Sequence, residues 1–291
     1  PNGERTYHTA TLLPDGRVLV VGGSGRAILQ DDGEDKAFRG IKDLFSSEIY
    51  EPNTNEWIET SEMRYKRSRA QAITLEGGDV IIIGGRSGVD IAATTEIYRV
   101  KIGIWEESVP MNHRRMSHSA IKLEDGRVLV TGGLESVVPG ETLASAEVYD
   151  PNTKTWTFAN NMHYARLGHQ STLLSDGRVL VTGGATAQEP ESKDQYPGIS
   201  AEIYDPHSDR WTEVSNMGFP RQDHVAILIS QALGGFSYKD KVILLGGANQ
   251  LGSGITVVEE YDVLDNEWSR ITSLPEGRTL LTATLMEDCS V

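Results

Sequence analysis

The chain has 291 residues, a formal net charge of −15 and a pI near 4.9. A surface with this much negative charge repels nucleic acid and anionic membranes. No apolar stretch reaches membrane-spanning length. A protein partner that carries a basic segment is therefore the better match. A single cysteine, Cys289, excludes an internal disulfide framework and, with no Asn-x-Ser/Thr acceptor present, favours a cytoplasmic location or a bacterial source.

The first predicted element is a β-hairpin that recurs along the chain. An Asp-Gly turn at 15–16 separates two β-rich runs, and the second run is apolar and ends in Gly22-Gly23. An acidic-Gly turn is typical of a tight hairpin, and an all-apolar strand is typical of burial on both faces. Equivalent Gly-Gly pairs end the apolar runs at 84–85, 132–133, 183–184 and 246–247.

A second hairpin follows each double glycine after a loop of variable length. Its first strand carries a glutamate two residues before a tyrosine, and a tryptophan follows that tyrosine by seven positions. The pairs, which include every tryptophan of the chain, are Tyr50–Trp57, Tyr98–Trp105, Tyr149–Trp156, Tyr204–Trp211 and Tyr261–Trp268. The unit recurs about every fifty residues, which indicates an array of supersecondary units. Each unit is predicted to be a four-stranded antiparallel meander, with strands a to d.

The order Gly-Gly, Tyr, Trp at this period resembles the kelch repeat over essentially the whole chain. The resemblance implies an all-β fold, a kelch-type β-propeller of four-stranded blades around a channel. A lone meander cannot cover both of its faces, so burial against neighbouring blades is also expected physically. We expect one domain over 1–291, with units at about 5–63, 69–111, 115–162, 166–217 and 221–274 and a partial unit at 278–291.

Both ends of the chain fall inside a repeat. Arg5 follows Pro1 at the spacing that separates methionine from arginine in complete units, and 278–288 matches strand a of a sixth unit. Kelch-like propellers close by building one blade from both chain ends. The resemblance therefore implies a longer polypeptide with at least six blades, and a five-bladed ring with a spare strand is the alternative.

Antiparallel order places the b–c and d–a connections on one face of the predicted fold, and the b–c connections carry the length variation. These connections span 24–46, 86–94, 134–144, 185–199 and 248–257. Variable loops on a rigid scaffold are the usual place for recognition. We therefore expect partner contacts from loop residues, such as Phe38, Phe45, Tyr196 and Arg69. An acidic run at 31–35 (Asp31, Asp32, Glu34, Asp35) is an alternative calcium site, although a solvated acidic loop is the simpler interpretation.

An arginine opens strand a of each unit, and a histidine often follows three residues later. The arginines and histidines are Arg5 with His8, Arg69 alone, Arg115 with His118, Arg166 with His169, and Arg221 with His224. Since strand a lines the channel in the family, they could form an anion or acidic-peptide site, because guanidinium forks match carboxylates. The alternative, favoured because both partners recur in every unit, is a repeated salt bridge to strand c glutamates such as Glu48 and Glu147. Four histidines on one ring could also bind a metal.

One stretch favours an enzyme instead. Residues 5–18 resemble the segment of galactose oxidase-like copper enzymes in which a Tyr-His pair binds copper, which would place the metal on Tyr7 and His8. Those enzymes also need a cysteine bonded to a second tyrosine and a histidine from a later domain, and neither is matched. A carbohydrate-active kelch enzyme is a further alternative. No phosphate-binding glycine loop or hydrolase motif is present, so the sequence predicts a non-enzymatic recognition scaffold without a cofactor.

Overall fold

The computed structural model describes residues 4–28, 39–186, 197–234 and 237–285, almost entirely as β-strands and turns. The fold divides into two compact units. Unit 1 comprises Pro1–Ser117, Glu135–Val137 and Tyr149–Trp156, and unit 2 comprises His118–Leu134, Val138–Val148 and Thr157–Val291. One short 3-10 helix spans Pro197–Ile199. Among the described residues, none of the helical segments is long and apolar enough to cross a membrane.

Unit 1 holds two four-stranded antiparallel sheets whose strands pair in chain order. The first sheet contains β1 (Thr9–Leu12), β2 (Val18–Val21), β5 (Ser47–Glu51) and β6 (Glu56–Glu59). The second contains β7 (Gln71–Thr74), β8 (Val80–Ile83), β11 (Thr95–Arg99) and β12 (Ile104–Ser108). Each b–c connection adds a two-stranded ribbon, β3 (Ser24–Ile28) with β4 (Arg39–Asp43) and β9 (Arg86–Ser87) with β10 (Asp90–Ile91).

Three further sheets follow along the chain. The third sheet contains β13 (Ser119–Lys122), β14 (Val128–Thr131), β17 (Ala146–Asp150) and β18 (Thr155–Ala159), with the ribbon β15 (Leu134–Ser136) and β16 (Glu141–Thr142). The fourth contains β19 (Gln170–Leu173), β20 (Val179–Thr182), β21 (Ala201–Asp205) and β22 (Arg210–Val214). The fifth contains β23 (Val225–Gly234), β24 (Ser237–Leu245), β25 (Ile255–Asp262) and β26 (Glu267–Arg278). The predicted four-stranded meander is therefore confirmed in all five sheets.

The apolar second strands form the core, as their sequences predict. Every residue of β8 and β20 is buried, and the methionine after each of the first four tryptophans is at most 4% exposed. The double glycine that ends each second strand is required by backbone packing. In Gly183, which has a φ of +61°, a Cβ atom would lie 2.4 Å from the carbonyl oxygen of Arg221. Only glycine permits both this conformation and this close approach.

The repeated tyrosine and tryptophan link strands within a sheet and link one sheet to the next. Tyr98 and Trp105 face each other across β11 and β12, with ring centroids 5.1 Å apart. The indole Nε1 of Trp105 donates to Ser47 Oγ of the preceding sheet at 2.9 Å. Trp211 in turn donates to the Asn160 carbonyl at 2.8 Å. The aromatic pair therefore fills the space between sheets and satisfies its polar atoms there.

Replacing Tyr261 with phenylalanine is expected to lower the free energy of unfolding by about 1 kcal/mol. The Tyr261 hydroxyl donates to Asn266 Oδ1 at 2.9 Å, and its residue is 1% exposed, a burial that raises the pKa of Tyr261 to about 12. Tyr50→Phe is the matched control, because Tyr50 makes the same 2.9 Å bond to Asn55 but is only half-buried. Urea denaturation of both variants checks this. Equal losses of free energy of unfolding in the two variants would show that burial of the hydroxyl does not determine the size of the loss.

Candidate functional site

The two edges of each sheet carry different kinds of connection. Because the strands are antiparallel and pair in chain order, the b–c connections and the connections to the next sheet leave from the same end of the strands, and this side of the sheet is here called the loop edge. The a–b and c–d turns leave from the other edge, here called the turn edge. The ribbons β3–β4, β9–β10 and β15–β16 all belong to the loop edge.

Four arginines at the start of a first strand form ion pairs with third-strand glutamates. The pairs are Arg5–Glu48, Arg67–Glu96, Arg166–Glu202 and Arg221–Glu259. In the fourth sheet, Arg166 Nη2 lies 2.6 Å from Glu202 Oε1, and Arg166 Nη1 donates to the Gly183 carbonyl at 2.6 Å. The Arg166 carbonyl accepts from the N–H of Gly133 in the preceding sheet at 2.8 Å. Arg67, Arg166 and Arg221 therefore fasten their own sheets and also join them to the sheets before, whereas Arg5 fastens the first sheet.

The burial of these arginines corrects their assignment as ligand-binding residues. Arg115, Arg166 and Arg221 are at most 1% exposed, and the Arg5 side chain is 6% exposed. A ligand cannot reach guanidiniums that are enclosed in this way. The salt-bridge alternative describes Arg5, Arg166 and Arg221 instead, and it explains why the residue recurs with the repeat.

The arginine of the second sheet also needs a correction of register. The sequence prediction took Arg69, but the buried residue paired with Glu96 is Arg67, which is 1% exposed. Arg67 follows Met63 by four positions, the spacing at which Arg166 follows Met162. That spacing could have identified Arg67 from the sequence. Arg69 is therefore not one of the buried arginines that pair with a third-strand glutamate.

The repeated histidines are also part of the packing, with one exception. His118, His169 and His224 are at most 2% exposed, and the Nε2 atoms of His169 and His224 each lie 2.8 Å from a threonine hydroxyl of the preceding second strand. Burial, together with the charges of Arg221 and Arg166, lowers the pKa of His224 to about 3. The imidazole of His224 is therefore neutral, and all three imidazoles are enclosed, which removes them from a shared metal site. His8 is exposed, and partial desolvation of its imidazole together with the charge of Arg5 lowers its pKa.

Tyr7 and Arg69, both predicted from the sequence, are partly exposed to solvent and contact each other. Tyr7 is 38% exposed, and the Arg69 guanidinium carbon lies 3.8 Å from the centre of the Tyr7 ring. Arg69 Nη1 also lies 3.4 Å from Ser117 Oγ. Positive charge over Tyr7 and beside His8 opposes a bound cation, so these residues do not fit the copper alternative. Across the described ranges, no cluster of three or more His, Cys, Asp or Glu residues is arranged to hold a metal ion.

Several other predicted residues lie elsewhere. Phe45 is half-buried and packs against the core of unit 1, with Lys66 Nζ 5.8 Å from the ring centre, so it belongs to the scaffold. The proposed calcium ligands at 31–35, together with Phe38, Tyr196 and Cys289, lie outside the described residues.

The tips of three b–c connections expose aliphatic side chains that the sequence reasoning missed. Val89 is 88% exposed, Val138 is 85% exposed and Leu251 is 89% exposed. Each stands beside a turn-forming residue, Gly88, Pro139 or Gly252. Such a tip is usually polar, so an aliphatic residue directly beside glycine or proline in a loop was the available signal.

A family model for the kelch motif matches residues 5–64, and a second one matches residues 125–163. Both matches contain the complete Gly-Gly, Tyr and Trp pattern in this five-sheet fold. The chain is a kelch-repeat β-propeller.

The chain is similar to segments of several curated proteins. Rat Kelch-like protein 7 is 38% identical over 76 residues, which cover 26% of this chain and 11% of that protein. Zebrafish Kelch-like protein 15 is 29% identical over 117 residues, covering 40% and 18%. Alpha-scruin of Limulus polyphemus is 25% identical over 135 residues, covering 46% and 14%. The chain thus spans less than a fifth of the length of each of these relatives.

A solved structure supports the kelch propeller fold. The structure of YjhT superimposes with a TM-score of 0.71 at 14% identity, over 94% of this chain and 85% of that one. At this identity the likeness concerns the fold alone.

Proposed function

We propose that this kelch propeller is a non-enzymatic recognition module that binds a protein partner through the loop edge of its sheets. The observation that carries the proposal is the exposure of Val89, Val138 and Leu251, each at least 85% exposed at the tip of its own b–c connection. Similarity to Kelch-like proteins and alpha-scruin supports the choice of a binding module over an enzyme.

The physical argument starts from the cost of exposing apolar surface. A valine or leucine that is fully exposed gains about 1.5 to 3 kcal/mol when a partner buries it. Isolated exposed aliphatics are common on protein surfaces, but here three separate connections place one at the same structural position. Val89 and Val138 lie at loop tips held by short β-ribbons, and such tips offer a partner apolar contacts with little loss of conformational entropy.

The charge of the chain adds a preference for the partner. A net charge of −15 attracts cationic segments and speeds their encounter. A partner that carries a basic segment is therefore favoured over an acidic one for the bulk of the surface. A local site for an acidic group requires an exposed cation.

The triple variant Val89→Asp, Val138→Asp, Leu251→Asp is expected to lose partner capture. Losing the burial of even one side chain would weaken binding about tenfold or more, and three together at least about a hundredfold. The measurement is quantitative mass spectrometry of proteins captured from a cell extract by the wild type and by the variant.

The matched control places the same substitutions on the turn edge. Leu12, Ile102 and Leu264 are 65%, 65% and 71% exposed there, so the variant Leu12→Asp, Ile102→Asp, Leu264→Asp changes charge and exposed apolar area similarly. The proposal requires that this control keep the captured proteins. If the control loses them while the loop-edge variant retains them, the binding surface is the turn edge and the proposal fails.

A further inference from the structure

The residue two positions after each strand-opening arginine adopts an unusual backbone conformation. Tyr7, Arg69 and Ser117 have φ angles of 54°, 55° and 53°, in the left-handed region that favours glycine. The same place along the repeat is occupied by Gly168, Asp223 and Leu280, with φ angles of 64°, 51° and 52°. Large side chains held in this region indicate a geometry that the surrounding fold imposes, and such positions are often functional.

In unit 1, backbone hydrogen bonds join these positions into a row. The N–H of Arg69 donates to the Tyr7 carbonyl at 3.0 Å, and the N–H of Ser117 donates to the Arg69 carbonyl at 3.1 Å. The three side chains therefore come from three successive repeats but lie side by side at the loop edge. In this row the Arg69 guanidinium lies over the Tyr7 ring, and Arg69 Nη1 lies near Ser117 Oγ.

The chemistry of this row differs from that of the scaffold arginines. Arg67 is enclosed and its charge is met by Glu96, whereas Arg69 is half-buried and its contacts are an aromatic ring and a hydroxyl. Within the part of the chain that the structure describes, no carboxylate pairs with Arg69. In a chain with a net charge of −15, such an arginine is poorly explained by solubility.

We propose that Tyr7, Arg69 and Ser117 form a binding site for a carboxylate, with Arg69 as the charged donor. An arginine supported by an aromatic face keeps its planar N–H fork available for bidentate hydrogen bonds to a carboxylate. The hydroxyl of Ser117, and that of the half-exposed Tyr7, can donate further hydrogen bonds. This inference rests on the proposed function, because it places an acidic group of the bound partner at the loop edge.

The carboxylate could belong to a side chain of a peptide or to a free acid, and two probes separate these sources. One is the capped peptide acetyl-Gly-Glu-Gly-Glu-Gly-amide, and the other is glutarate. Binding of each to the intact chain is measured by NMR titration, with the corresponding glutamine peptide and glutaramide as uncharged counterparts. We expect a charged probe to bind and its amide counterpart to bind at least about tenfold more weakly.

Arg69→Met is expected to weaken binding of the charged probe at least about tenfold, since it removes the donor and keeps the length of the side chain. Arg64→Met is the control, because Arg64 lies in the same connection between sheets but is exposed and paired with Glu107 at 2.7 Å. Tyr7→Leu, which removes the aromatic support, should weaken binding by a smaller factor. The urea midpoint of each variant reports whether it remains folded.

Three results would overturn the carboxylate site. They are equal binding by wild type and Arg69→Met, equal binding of charged and amide probes, and no binding of either charged probe at millimolar concentration. The proposed function is judged separately by the aspartate variants of the loop tips. Capture that depends on those tips in a protein that binds neither acid would retain the recognition module and discard the carboxylate site.

Discussion

Replacing Arg166 with methionine is expected to lower the free energy of unfolding by about 3 to 5 kcal/mol. Arg166 and Glu202 side chains are both 0% exposed, so the variant leaves the Glu202 carboxylate buried without its cation. It also removes hydrogen bonds to the Gly183 carbonyl and to Ser200 Oγ. Urea denaturation, monitored by tryptophan fluorescence, measures this loss of free energy of unfolding.

Two controls separate the buried charge from a general effect of substitution. Arg64→Met breaks an exposed pair with Glu107 and is expected to cost at most about 1 kcal/mol. The double variant Arg166→Met, Glu202→Gln removes both charges, while the amide can still accept from the N–H of His163. The double variant should lose less free energy of unfolding than the sum of the losses in Arg166→Met and Glu202→Gln, by at least about 1 kcal/mol. Additive losses would show that the two side chains do not act as a pair.

Lowering the pH from 7 to 5 is expected to lower the free energy of unfolding by about 2 kcal/mol through His224 alone. Burial lowers the pKa of His224 from its ordinary 6.5 to about 3. At pH 7 the imidazole is mostly neutral in both states, so it carries little penalty. As the pH falls below 6.5, the unfolded chain takes up a proton that the folded chain excludes. Stability is therefore lost progressively between about pH 6.5 and pH 3.

His224→Leu tests this dependence with a residue that the repeat itself uses. Leu281 stands three residues after Arg278, as His224 does after Arg221. The variant loses the contact with Thr182 and is less stable at pH 7, but its further loss between pH 7 and pH 5 should be smaller than that of wild type by about 2 kcal/mol. His207→Asn, at a site 83% exposed, is the control for replacement of a histidine. An identical pH dependence in wild type and His224→Leu would contradict the assignment.

The candidate site was only partly visible in the sequence. The Arg-x-x-His pattern drew attention to the correct stretch, but most of the residues in that pattern proved to be scaffold. Arg67 and Arg69 are two residues apart and chemically identical, yet one is enclosed by Glu96 and two carbonyls while the other lies over Tyr7. Residue type cannot distinguish them, because burial and partners are set by residues distant in the sequence.

The sequence by itself determined the repeating unit and its internal sheet. The Asp-Gly turns, apolar second strands, double glycines and Tyr–Trp pairs each act over a few residues, where propensity and periodicity decide the structure. Only the tertiary structure decided which arginine joins neighbouring sheets and which histidines are enclosed. It also decided that Tyr7, Arg69 and Ser117, taken from three repeats, stand side by side, because backbone hydrogen bonds between repeats exist only once the sheets have packed.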